Sequence, residues 1–598
     1  MAFKKRTHDC GELRLANVGE TVALNGWCHR IRDLGGLFFV DLRDRTGVCQ
    51  LNFEIERFED LRDLRHEFVL CVTGEVVKRA EKDVNRKVPT GEVELDVKEF
   101  DVLSTCDVLP FPLSDESQMK TAPEDLRVKH RYLDLRRPVM YRKLLIRAEA
   151  VRLIREYLHE RGFVEVETPI FTRSTPEGAR DYLVPYRLKP GRFYALPQSP
   201  QQYKQLLMVA GVERYFQIAR CFRDEAQRAD RQPEFTQLDM EMSFVYQEDI
   251  LAVSEGLTRH VCNSVIEKFD LDLEPVGSFP RLTYEESVRR FGTDKPDLRF
   301  DLELFDVTET VRTCEFGVFR SAVEAGGIVR GVKYPGGADL SRKQVGELEN
   351  FVKEFGAKGL AHLTVVSTDP PECKGIAKFF KREELTVIIG AADAQPNDLL
   401  LFVADKEAVV CDALARLRNL IGDRCNLRDP RKLLFCWVLD FPLVFWDEEN
   451  KRWDPSHHPF VMPKTEDLSL LETDPGKVRA DCYDIVCNGS EWASGSIRIH
   501  RPDIQARVFS VLGLDEEAQR RRFGHILDAF RYGAPPHGGI APGIDRLIMY
   551  LTGDENIREV IAFPKLGGGY DPMMDTPSEI EPEQWEELGL TLRPAEDD

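Results

Sequence analysis

Gly538-Gly539-Ile540-Ala541-Pro542-Gly543-Ile544-Asp545-Arg546-Leu547 runs small and apolar residues into a single arginine, and an apolar helical stretch follows to residue 551. A second arginine, in Cys221-Phe222-Arg223-Asp224-Glu225, opens a charged loop to Pro233 between two apolar strand-like runs. Arginine presents a rigid planar fork of donors that fits phosphate or carboxylate oxygens two at a time. Two such forks at the edges of regular elements suit a triphosphate. The other common phosphate cradles are missing: the sequence holds no Walker-type Gly-x-x-x-x-Gly-Lys-Ser/Thr and no coherent Rossmann fingerprint.

Working outward, 598 residues predict several domains rather than one core. The hydrophobic share of 42% and charged share of 31% are ordinary for a globular protein. No apolar run is long enough to span a membrane, and Met1-Ala2-Phe3-Lys4-Lys5-Arg6 has no apolar stretch behind it, so no secretory signal is expected. Fourteen cysteines without a Cys-x-x-Cys pair read as free thiols in a reducing cytoplasm, and no zinc is expected. The net charge of −21 weighs against a nucleic-acid partner, yet residues 127–143 are strongly basic while 579–598 are acidic. A local basic track to a phosphate backbone therefore stays open.

Residues 1–108 carry five strand-like runs, 21–28, 36–42, 46–53, 68–77 and 92–102, which suit an OB-fold barrel, with a plain β-sandwich as the alternative. A Pro-containing linker, 109–140, follows. Leu144, Ala148, Val151, Ile154 and Leu158 form one apolar stripe at helical spacing, which Gly162 is placed to end. Further strands are expected at 194–196, 215–221, 235–244, 480–487 and 496–500, spread over 141–294 and 426–572 as one mixed α+β domain. Residues 295–425, with repeated Gly joints, read as an inserted α/β domain without a catalytic constellation. Residues 573–598 form an acidic extension.

The ordered strings make the reading specific. Segments 162–169, 222–241 and 533–551 resemble the three motifs of class II aminoacyl-tRNA synthetases. Within the class, Arg131-Tyr132-Leu133-Asp134-Leu135-Arg136-Arg137, Ser174-Thr175-Pro176-Glu177-Gly178-Ala179-Arg180-Asp181, Ala195-Leu196-Pro197-Gln198-Ser199-Pro200-Gln201, Gly292-Thr293-Asp294-Lys295-Pro296-Asp297-Leu298-Arg299 and His457-His458-Pro459-Phe460 are similar to bacterial-type aspartyl-tRNA synthetases over essentially the whole chain.

The resemblance implies an α+β multidomain enzyme: an OB-fold barrel for the anticodon, and an antiparallel-sheet catalytic domain interrupted by the insertion. It would join L-aspartate to the 3′-terminal adenosine of tRNA(Asp) through aspartyl-adenylate, as a homodimer using ATP and Mg²⁺. Arg223 and Arg546 are then the catalytic arginines, on the α-phosphate and γ-phosphate respectively. Asp224, Glu225, Gln232, Phe235, Glu491, Gly543, Ile544 and Asp545 complete the ATP site, with Phe235 stacking on adenine. Asp484 and Glu491 are the expected Mg²⁺ ligands. Lys204 and Arg498, oriented by Asp239, would select the aspartate side chain, with Glu177, Ser199 and Gln201 around its ammonium. His457 adds a donor, simple packing beside His458 being the alternative. Arg32, Phe39, Gln50, Arg79 and Asn85 fall at anticodon-reading positions. Leu34 stands where relatives that also charge tRNA(Asn) carry histidine, so it leans toward a tRNA(Asp)-only enzyme.

Three positions depart from the pattern. Glu491-Trp492-Ala493-Ser494-Gly495-Ser496 keeps one of three usual glycines, Pro542 replaces an aromatic, and Ser456 replaces a larger residue. Crowding of the pocket by Trp492–Ser494 side chains would favour a noncatalytic RNA-binding paralogue.

Overall fold

The computed structural model describes residues 3–35, 37–113, 122–174, 179–226 and 228–591. The chain divides into two compact units: Met1–Tyr141 with Tyr570–Thr576, and Arg142–Gly569 with Pro577–Asp598.

The first unit holds β1 (Thr21–Asp33), β2 (Leu37–Arg43), β3 (Val48–Glu54), β4 (Val69–Lys78) and β5 (Val93–Ser104), closed in the order β1-β2-β3-β5-β4. Alternation builds this barrel. Val40 and Leu42, Cys49, Leu51 and Phe53, and Leu95 and Val97 all point inward and are buried in one cluster. A parallel β3–β5 pair closes the ring, so the sandwich alternative falls. The stretch expected as a linker folds in part, with helices Glu124–Lys129 and Arg131–Asp134 and a small core of Phe111, Leu113 and Leu133. Three arginines of its basic run converge on one acid. The fully buried Asp134 accepts from Arg131 and Arg137 at 2.7 Å each and lies 3.6 Å from Arg127.

The second unit is built on strands in chain order: β6 (Val164–Glu165), the hairpin β7 (Leu183–Pro185) and β8 (Phe193–Ala195), β9 (Arg214–Phe222), β10 (Glu234–Ser243) and β11 (Arg281–Thr283). The insertion contributes β12 (Leu304–Asp306), β13 (Ile328–Tyr334), β14 (Ala361–Thr368), β15 (Pro371–Gly375) and β16 (Leu399–Asp405). After it come β17 (Phe435–Leu439), the hairpin β18 (Val444–Asp447) and β19 (Arg452–Pro455), β20 (Cys482–Cys487), β21 (Ser490–Ile497) and β22 (His537–Pro542). Eight of these form one sheet, β11-β17-β20-β21-β22-β10-β9-β6, antiparallel except at its two edges. Helices Pro138–His159, Gln247–Phe269 and Ile544–Thr552 supply Ile146, Ala150, Val261, Val265 and Ile548 to a core shared with Leu238, Met240, Ile485 and Ile540 of the sheet.

The insertion has its own five-stranded sheet, β12-β13-β16-β14-β15, flanked by two apolar clusters. Its joint is fastened by Arg418, which is 1% exposed and donates to the carbonyls of Asp297 (2.9 Å) and Phe300 (3.0 Å). Unpaired, a cation so deep would be costly.

Candidate active site and nucleic-acid face

One strand sets the floor of the site. On β10, Leu238, Met240 and Met242 face the core, so Phe235, Gln237, Asp239 and Glu241 alternate to the opposite side. All but Glu241 line a cleft of about 680 Å³, and Glu241 sits fully buried at its back. On the β20–β21 pair, which β22 separates from β10, the register slips between Ile485 and Val486, leaving Trp492 as the extra residue of a bulge. The bulge lets both Glu491 and Ser494, three positions apart, line the cleft. Trp492 packs edge-on against Phe435 at 5.4 Å and its indole N–H donates to the Gly543 carbonyl at 2.9 Å, while Ala493 is in the core. Ala493 is thus absorbed by the core, whereas Trp492, 5% exposed and packed on that core, and Ser494 still line the cleft.

A buried quartet closes the cleft. Lys204 Nζ lies 2.8 Å from Asp239 Oδ1 and 3.3 Å from Glu241 Oε2, and Arg498 meets both Glu241 oxygens at 3.0 and 3.2 Å. None of the four exceeds 2% exposure or is more exposed than Arg498. Sequence reading gave the orienting role to Asp239 alone; Glu241 is the residue that holds Arg498 and was missed, although its place two residues along the same strand was the available signal. Burial pushes the Asp239 carboxyl up, against the pull of Lys204. Burial works the same way on Glu241, but Arg498 and Lys204 together hold it below the usual range. Asp239 Oδ2 and Gln201 Nε2 are buried without a hydrogen-bond partner. Gly539 permits the packing, because a Cβ there would lie 2.0 Å from Glu241 Oε2. Arg498 also donates to His458 Nε2 at 2.7 Å, and burial with that cation keeps His458 neutral, well below the ordinary imidazole range.

At the other end, Arg223 sits 5.0 Å over the Phe235 ring, and its Nε is buried without a partner. Arg546 donates to the Glu491 carbonyl and, at 3.0 Å, to Asp230 Oδ2. Lys295 reaches Glu491 at 3.1 Å. It lies at the start of the segment read as a noncatalytic insertion, whose own sheet begins only at Leu304. Asp484 is buried on β20; Asp484 Oδ1, 3.6 Å from His457 Nε2, has no hydrogen-bond partner, and burial raises its carboxyl. His457 thus faces the cleft beside an acid and is not merely packed on His458. Among the described residues no three His, Cys, Asp or Glu side chains gather as a metal cluster.

Several expected ligand contacts are engaged elsewhere. The Gln232 amide takes both backbone groups of Lys565, at 3.0 and 2.7 Å. Asp545 accepts from Thr236 N at 2.7 Å and pairs with Arg147, which ties helix Ile544–Thr552 to β10 and to helix Pro138–His159. The Ile544 side chain is in the core, and Glu225 pairs with Arg231 at 2.6 Å. Asp224 meets Arg180 through backbone hydrogen bonds, while Ser199 and Gly543 line the cleft. Glu177 lies outside the described residues.

On the barrel, β-pairing sets Arg32, Phe39 and Asn52 in one row across β1, β2 and β3. Phe39 is half-buried with Arg32 5.9 Å over its ring, so it is not a core phenylalanine. Arg32 donates to Gln50 and to Asp41 at 2.8 Å each, and Gln50 donates to Glu94 at 2.7 Å. Asn85 is exposed, whereas Arg79 is buried and donates to the Val93 carbonyl, so its Nε props the barrel instead of facing a base. Asn52 joins the same network, donating to Glu94 at 3.2 Å. Leu34, 71% exposed, is in the β1–β2 turn.

An eight-stranded, largely antiparallel sheet with a two-arginine cleft, in a chain that also carries an OB barrel, defines a class. The family described as class II tRNA synthetases (D, K and N) matches residues 123–567, and the OB-fold nucleic acid binding domain matches 22–103. The chain belongs to the class II tRNA synthetases and, within them, to the aspartyl-tRNA synthetases. It is 55% identical to the aspartate–tRNA(Asp/Asn) ligase of Rubrobacter xylanophilus, over 98% of this chain and 97% of that one. It is 52% identical to the protein of the same name from Caldanaerobacter subterraneus, over 98% of each. Among solved structures it resembles asparaginyl-tRNA synthetase from Pyrococcus horikoshii complexed with asparaginyl-adenylate (TM-score 0.59, 18% identity, 96% of this chain and 99% of that one). A putative aspartyl-tRNA synthetase from Leishmania major gives TM-score 0.59 at 20% identity, over 94% of each chain. At such identities these two likenesses bear on the fold alone.

Proposed function

We propose that the chain activates L-aspartate with ATP and passes the aspartyl group to the 3′-terminal adenosine of tRNA(Asp). The observation that carries this reading is the buried Lys204–Asp239–Glu241–Arg498 quartet at the closed end of a cleft whose open end holds Arg223, Phe235 and Arg546. The substrate side-chain carboxylate docks against Lys204 and Arg498, which Asp239 and Glu241 keep fixed. An asparagine amide would leave that fork without its charged partner, a loss of about 1–3 kcal/mol or more. The aspartate α-carboxylate attacks the α-phosphorus, and pyrophosphate leaves. A ribose hydroxyl of the tRNA then attacks the mixed-anhydride carbonyl, and AMP leaves. The substrates bring their own nucleophiles, so the protein's part is positioning and charge stabilisation, with the unpartnered Nε of Arg223 available to the α-phosphate.

Asp484 and Glu491 would hold Mg²⁺, which favours one or two carboxylates completed by phosphate oxygens and water; Asp484 Oδ1, buried without a hydrogen bond and only 3.6 Å from His457 Nε2, fits that donor set. The bound ion would neutralise charge on the polyphosphate. The Arg32–Phe39–Gln50 face would read the anticodon, and the enzyme would act as a homodimer in the cytoplasm. Fourteen free cysteines suit a reducing compartment, and no helix among the described residues is long and apolar enough to cross a membrane.

A second reading has its own support. Both relatives above carry names that include tRNA(Asn), against the lean given by Leu34. Charging of purified tRNA(Asp) and tRNA(Asn) decides: aspartylation of tRNA(Asp) alone supports the narrower enzyme, comparable rates on both support the broader one, and charging of neither refutes the proposed function.

A further inference from the structure

The two arginine forks differ in what they hold. Arg223 keeps a buried Nε without a partner, whereas both outer nitrogens of Arg546 are engaged, one by the Glu491 carbonyl and the other by the Asp230 carboxylate at 3.0 Å. We propose that Asp230 occupies the place on Arg546 that the terminal phosphate takes, so that the triphosphate must displace it from Arg546 in order to bind. The inference rests on the reading of Arg546 as the γ-phosphate residue.

Asp230 is not a loose loop tip that happens to touch an arginine. The carbonyl of Ala229, the residue before it, accepts from Ile557 N at 2.9 Å. Two residues on, the Gln232 amide grips the Lys565 backbone in both directions, and Gln232 is 2% exposed. These three hydrogen bonds seam the 229–232 stretch to the segment that follows helix Ile544–Thr552, the helix bearing Arg546. The carboxylate is therefore presented to the guanidinium from an anchored stretch of backbone. The partners retain 35% and 22% side-chain exposure, so the pair lies at the cleft wall, where an entering anion can reach it.

A carboxylate and a phosphate offer the arginine fork similar oxygen pairs, and the phosphate carries more charge. Exchange of one for the other keeps the reach of Arg546 set by an anion throughout. It also gives pyrophosphate a way out, since Asp230 can retake Arg546 as the product leaves. Only a ligand with distal phosphates competes with Asp230. AMP, whose single phosphate belongs at the Arg223 end, does not.

The test is calorimetric titration of the full-length chain with ATP, pyrophosphate and AMP, in Mg²⁺ and without amino acid, for wild type, Asp230→Asn, Asp230→Glu and Arg546→Ala. Asp230→Asn keeps the shape and removes the charge. The expected result is a Kd for ATP and for pyrophosphate lowered about threefold to tenfold, as fits loss of a partly buried ion pair, with AMP unchanged. Asp230→Glu restores affinities near wild type. A Kd for ATP that is unchanged or raised in Asp230→Asn overturns the proposal, because Asp230 would then merely position Arg546. So does an equal shift for ATP and AMP, which would mark a general change in the cleft. An ATP-to-AMP preference untouched by Arg546→Ala would instead overturn the phosphate role of Arg546, and the inference with it.

Discussion

Lys204→Met is the substitution with the most to say about the buried quartet. Methionine keeps the length of the side chain and removes its charge. Asp239 then loses the cation 2.8 Å away while its other oxygen has no partner, and Glu241 keeps only Arg498. Breaking a buried pair from one side costs about 3–5 kcal/mol. Part of that cost can be avoided by protonating Asp239, whose carboxyl burial already pushes up. The sign follows: in the variant the folded-state pKa of Asp239 exceeds its unfolded value of about 3.9, so the folded chain binds more protons and stability falls as pH rises between the two values. The deficit relative to wild type is therefore smallest at and below that unfolded value of about 3.9, grows as pH rises toward the raised folded-state pKa, and approaches the full ~3–5 kcal/mol above it. Urea denaturation of variant and wild type, followed by tryptophan fluorescence, reads it directly, since Trp437 and Trp492 lie in the core of this unit. Pyrophosphate exchange with aspartate should fall at least about 100-fold in kcat/KM, equivalent to about 2.7 kcal/mol. A deficit below about 1 kcal/mol at neutral pH, the range of an exposed pair, and flat with pH, would refute the reasoning.

Gly539→Ala places a Cβ 2.0 Å from Glu241 Oε2 and 2.1 Å from the Met240 carbonyl, so a lowered melting temperature and a raised KM for aspartate are expected, with KM for ATP nearly unchanged. Asp545→Ala removes the acceptor of Thr236 N and the partner of Arg147; it should cost about 2–4 kcal/mol in denaturation while the folded fraction binds ATP normally, a result that separates a structural aspartate from a nucleotide ligand. Phe39→Ala should reduce tRNA charging kcat/KM by about 5- to 150-fold through loss of one stacking contact of about 1–3 kcal/mol, with exchange in the absence of tRNA unaffected.

The parts legible in the sequence are those where side-chain period and fold agree. All five barrel strands were found because inward Val, Leu, Cys and Phe alternate with polar residues, and helix Pro138–His159 because its apolar stripe recurs at helical spacing. β21 was placed at 496–500 but starts at Ser490, since Ser, Ala and Gly carry little β signal and the strand is held by its two neighbours. Gly495 shows why: a Cβ there would lie 2.3 Å from the Gly539 carbonyl, a constraint set by a strand far along the chain. The cleft residues were largely foreseen as a set. Their individual partners were not, because Gln232 and Asp545 spend their polar atoms on backbone and helix contacts that exist only after folding. Lys295 was hidden in the same way, since its position at the joint of the insertion says nothing of Glu491 until the β20–β21 bulge turns that carboxylate toward it.

The central claim, that the cleft activates aspartate, is tested most directly by ATP–pyrophosphate exchange with the purified full-length chain and Mg²⁺, comparing aspartate, asparagine and lysine in the absence of tRNA. The account predicts exchange with aspartate alone. Exchange with asparagine or lysine at a comparable rate, or with none of the three, would contradict it.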